Sequence, residues 1–122
     1  MTADAPLDSI VALLTTLVRT PSRADEDDLA PVARCIAQWF ADRCLPVQAL
    51  QGPHGKPLGL YAECRGRHPG GPWVVLDATL DTAGFGDPAA WTHPPTSGQV
   101  DAGWLHGRGS ALALCFGRGQ FL

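Results

Sequence analysis

Residues 74–114 read VVLDATLDTAGFGDPAAWTHPPTSGQVDAGWLHGRGSALAL. Val74, Val75 and Leu76 form a continuous apolar run, preceded by Trp73. Such a run suits a strand buried on both faces, so 73–81 is expected as the central strand of a small sheet. The following GFGDPAAWTHPPT is too rich in Gly and Pro for regular structure. SGQVDAGWLHG then reads as a hairpin. Val100 and Trp104 flank Asp101-Ala102-Gly103, with Gly where a positive φ is needed. SALALCF opens either a helix or a strand, because so few residues leave periodicity undecided.

Two more strand candidates lie upstream, PVQAL (46–50) and LGLYAEC (58–64), divided by the loop QGPHGKP. Before them, LDSIVALLTTLVRTPS puts Ile10, Leu13, Leu14, Leu17 and Val18 on one helical face. Asp8 or Ser9 can cap its start, and Pro21 ends it. ADEDDLAPVARCIAQWFADRCL gives a second helix with Leu29, Val32, Ala33, Ile36 and Phe40 on its apolar side. Its acidic start suits the positive end of the helix dipole. Pro31 fits only in the first turn, which sets the start near Asp27 or Asp28. Helices followed by closely spaced strands indicate an α/β layer fold, with two N-terminal helices on a small sheet. No internal repeat or linker interrupts it.

The chain has 122 residues, which suits one domain. Hydrophobic residues at 45% and charged residues at 17% read as globular. The net charge is −3 and the nine basic residues are scattered, so no stripe tracks a phosphate backbone and nucleic acid is not an expected partner. No apolar run approaches the roughly 20 residues that span a bilayer, and the acidic N-terminus lacks the basic start of a secretory signal. Cys35, Cys44, Cys64 and Cys115 include no CxxC pair, so reduced thiols and a cytoplasmic location are expected.

Side chains two apart on a strand share a face, about 6.6 Å apart along it. Thr79 and Asp81 are such a pair, at the strand end where α/β sheets gather their functional groups. A His-x-Asp pair there would suit zinc, but threonine is a poor ligand. Asp77 shares the face, yet lies about 13 Å from Asp81 along the strand, too far for one metal. After Gly107-Arg108-Gly109 a metal site would want a carboxylate, and Ala111, Leu112, Ala113 and Leu114 have no donor atom.

VVLDATLDT, GDPAAWTHPPTSGQVDAGWLHGRGS and the leading LLTTLVRTPS together resemble the N-terminal part of the M20 metallopeptidase family. That family includes aminoacylase, acetylornithine deacetylase, succinyl-diaminopimelate desuccinylase and carboxypeptidase G2-like hydrolases. The resemblance covers about residues 8–114. It implies part of a zinc-bearing αβα sandwich and hydrolysis of N-acyl amino acids or dipeptides by a metal-bound water. It also sets the family's first metal-binding histidine on Thr79, its assisting aspartate on Asp81, its metal-bridging aspartate on Leu112 and a common lysine on Leu114. Asp81 and Thr82 keep the pattern; the metal positions do not. The catalytic glutamates, the remaining ligands and the lid or dimerisation domain fall beyond residue 122 of that pattern.

The resemblance therefore implies that 1–122 is a single truncated, degenerate M20-like catalytic-domain fragment, with Asp81 vestigial and no zinc or other cofactor bound. It implies no hydrolase activity of its own. A binding or regulatory module is the alternative: the half-domain docks on a full-length relative or another protein, or associates with itself, through uncovered apolar surface. An active hydrolase completed by another chain is the third reading, and the ligands lost within the chain argue against it. Other chemistry is weaker. His54, His68, His93 and His106 show no i, i+2 or i, i+4 spacing. Ser110 is not in a Gly-x-Ser-x-Gly elbow. No Gly-Lys-Ser/Thr follows the Gly-rich turn. Trp73, Trp91 and Trp104 are expected to anchor packing.

Overall fold

The computed structural model describes residues 7–68 and 70–110. Helix α1 (Leu7–Arg19) and helix α2 (Ala30–Ala41) are followed by an antiparallel hairpin of β1 (Val47–Gln51) and β2 (Pro57–Ala62). A second, separate hairpin joins β3 (Gln99–Asp101) to β4 (Trp104–His106). Single 3₁₀ turns occupy Pro53–Gly55 and Pro88–Ala90. The result is a mixed α/β arrangement in which α2 packs on α1 from one side and on the β1–β2 hairpin from the other. Neither described helix is long and apolar enough to cross a membrane.

The apolar stripe of α1 does the work its spacing implies, but only at its C-terminal end. Leu17 and Val18 are buried against Val32 of α2, with Leu13, Leu14, Leu29, Cys35, Ile36, Leu80 and Leu105 packed around them. Ile10 remains 40% exposed, because α2 crosses nearer the other end. The start of α1 also differs from expectation. Asp8 and Ser9 lie inside the first turn, and Ser9 Oγ accepts a hydrogen bond from Arg43 Nη2 instead of capping.

In α2 the acidic run stays outside the helix. Leu29 is the N-cap residue and contributes no side-chain cap, while Asp28 Oδ1 accepts from the Ala30 N–H at 2.9 Å. Pro31 sits in the first turn, where its missing N–H costs nothing. The helix ends in a Schellman-type pair: Leu45 N–H bonds Phe40 O at 3.0 Å and Cys44 N–H bonds Ala41 O at 2.9 Å. The left-handed residue of this motif is Cys44, at φ 55°, where glycine is the usual occupant.

The 99–106 hairpin forms as its turn chemistry indicates. Ala102 (φ 46°) and Gly103 (φ 84°) both take positive φ, the signature of a two-residue turn that matches strand twist. The strands expected at 46–50 and 58–64 form with shifted bounds, as Val47–Gln51 paired with Pro57–Ala62, with a register shift between Leu50 and Gln51.

Residues 73–81 are a correction. They form no strand, and Trp73, Val74, Val75 and Leu76 are 71%, 76%, 85% and 71% exposed. The physical reason is that a strand buried on both faces needs a neighbour at each edge and a layer on each side. Among the described residues, β1 and β2 pair only with each other. The packing role expected of Trp73 fails with the strand, and Trp104 is likewise 73% exposed. The SALALCF segment lies outside the described residues after Ser110.

Cys44→Gly removes the steric cost of a side chain in the left-handed region. It should stabilise the fold by about 1 kcal/mol, measured by urea unfolding with an unchanged m-value.

Candidate functional site

Ser22, Ala24 and Thr82 fix the position of the segment that carries Thr79 and Asp81. Thr82 N–H donates to Ser22 O at 2.7 Å and Ala24 N–H donates to Thr82 O at 2.9 Å, forming a short parallel bridge. Ser22 is buried, at 3% exposure. One residue earlier, Leu80 packs its side chain against the α1–α2 core. Thr79 and Asp81, on either side of Leu80, turn away from that core and meet each other.

Their meeting is direct. Thr79 Oγ1 donates to Asp81 Oδ1, and Asp81 N–H points back to Thr79 Oγ1 at 3.3 Å. Asp81 is half-buried, while Thr79 and Asp77 are exposed. Leu112 and Leu114 lie outside the described residues. Among the described residues no group of three or more His, Cys, Asp or Glu side chains converges. The described residues do not fit zinc, which wants several donors around one point. Here the carboxylate nearest that point already accepts from a hydroxyl.

The surrounding loops are tied by backbone and side-chain hydrogen bonds. Trp91 Nε1 donates to Phe85 O at 2.7 Å, and Asp87 Oδ1 accepts from Ala89 N–H at 2.9 Å to hold the turn between them. Trp91 is half-buried and is held by its hydrogen bond to Phe85 O. Arg108 N–H bonds Pro95 O at 2.6 Å, and its Nε reaches Ala83 O at 3.1 Å. Ser97 Oγ donates to His106 O at 3.1 Å, and Ser97 O accepts from Arg19 Nε at 3.1 Å. The first Gly of Gly-Arg-Gly has a steric role. Gly107 adopts φ 143°, and a Cβ there would collide with Val18 Cγ1 and sit 2.9 Å from Pro95 O.

His93 and His106 come together although they are thirteen positions apart in sequence. Their ring centroids are 4.0 Å apart with the planes tilted by 30°. Helix and strand spacings miss this pair because a loop and a hairpin bring it together. His54 and His68 remain exposed in loops.

The acidic stretch before α2 forms an ion-pair clasp with Arg23. Arg23 Nη2 and Nε contact Asp27 Oδ1 and Oδ2 at 2.7 and 2.8 Å, and Arg23 N–H also bonds Oδ2 at 2.8 Å. Glu26 Oε2 lies 2.7 Å from Arg23 Nη1, and Phe85 covers the guanidinium at 4.6 Å. The hydrogen bonds from Arg23 pull the Asp27 carboxyl down to about 2. The same hydrogen bond raises the pKa of Arg23 above its ordinary value.

Over 104 residues, 84% of its length, the chain is 35% identical to a succinyl-diaminopimelate desuccinylase of Methylobacterium sp. (strain 4-46). The chain is similar to succinyl-diaminopimelate desuccinylases. A second desuccinylase of that name, from Paracoccus denitrificans (strain Pd 1222), is 64% identical over 25 residues, 20% of this chain. These relatives support the M20 resemblance. The matched segment spans 25% of the first relative and 6% of the second. No family model matches the chain, and no solved structure gives a significant match.

Two outcomes follow from this geometry. Gly107→Ala should destabilise the fold by about 1–3 kcal/mol, because Val18 is buried and has no room to yield; thermal unfolding checks it. The Asp27 carboxyl titrates lower in the folded state than its ordinary 3.8, so the clasp stabilises the fold above that value. Its contribution should fade as the pH falls from about 4 to about 2. Asp27→Asn should flatten the acid limb of a stability–pH curve in that window.

Proposed function

We propose that the chain is an M20-type metallohydrolase segment whose first metal position is lost. It neither holds zinc at Asp81 nor cleaves amide bonds by itself. The single observation that carries this reading is the hydrogen bond from Thr79 Oγ1 to Asp81 Oδ1. An imidazole at position 79 would offer a lone pair to a metal shared with the carboxylate. A threonine hydroxyl instead gives its proton to that carboxylate. No group near Asp81 is identified that would take a proton from a bound water. The identity to the Methylobacterium desuccinylase supports a shared ancestry for the segment, and the class of substrate to test is therefore an N-succinyl or other N-acyl amino acid. The reading sets the chain in the cytoplasm, the compartment that keeps Cys35, Cys44 and Cys64 as free thiols.

The exposure of Trp73, Val74, Val75 and Leu76 favours a second reading, a module that works by association.

Calorimetry with zinc and an assay on N-succinyl-diaminopimelate test the first reading together. The unaltered chain should bind no stoichiometric zinc and leave the substrate intact. Thr79→His with Leu112→Asp should tighten zinc binding by at least about tenfold, roughly 1.4 kcal/mol, without turnover, because it supplies donors but no general base. Stoichiometric zinc on the unaltered chain, or hydrolysis by either form, would contradict the proposal.

A further inference from the structure

We draw no further inference here: the strongest candidate, the exposed apolar run from Trp73 to Leu76 upstream of the Thr82 bridge, carries nothing, because nothing in the structure shows what covers it.

Discussion

Thr82 is held between Ser22 and Ala24 by two backbone hydrogen bonds, one given and one taken. The segment carrying Thr79 and Asp81 depends on this bridge for its place beside the helices. The bridge seats Leu80 on the core formed by Leu17, Val18 and Val32. Leu80 in turn sets the outward direction of Thr79 and Asp81. From Ala83 onward the chain is tied by Arg108, Pro95 and Gly107 to the C-terminal end of α1. The Arg23–Asp27 clasp stiffens the short loop that provides the other side of the bridge. A surface clasp of this kind is worth little alone; its role is to hold Ser22 and Ala24 at the right spacing.

This dependence explains a split in the molecule. The half organised around the bridge has a small, contiguous core. The stretch just before it, residues 73–78, has neither backbone partners among the described residues nor cover for its apolar side chains. Position 79 is where the two halves meet. Asp81 is well placed by its neighbours, yet its carboxylate is engaged by Thr79 within the same short segment. Good placement without converging donors is scaffold without chemistry, and it is the physical content of the proposed loss of function.

The parts legible in the sequence were those governed by local rules. The helices follow from 3.6-residue periodicity, and Pro31 marks the start of α2. The 99–106 hairpin follows from the turn residues Ala102 and Gly103, and β1 and β2 from two short strand candidates divided by a Gly/Pro loop. The misreadings share a different cause. Val74–Leu76 has every local mark of a buried strand, but burial is supplied by neighbours, which local composition does not encode. Asp27 reads as a helix start because acidic residues favour that end. Arg23, four residues upstream, claims it instead. Thr79 and Asp81 were legible as a pair from their spacing. That their partner would be each other is visible only in the side-chain geometry, as is the contact of His93 with His106.

Hydrogen exchange at the amides of Ala24, Leu80, Asp81 and Thr82, followed with excess zinc and with chelator, tests the central claim most directly. If the backbone bridge and the core hold this segment without metal, Ala24 and Thr82 should be protected well above Val74 and Val75. Their protection should be the same with zinc as with chelator. Protection across 79–82 that appears only when zinc is added would contradict the account, because the metal would then be what orders the site.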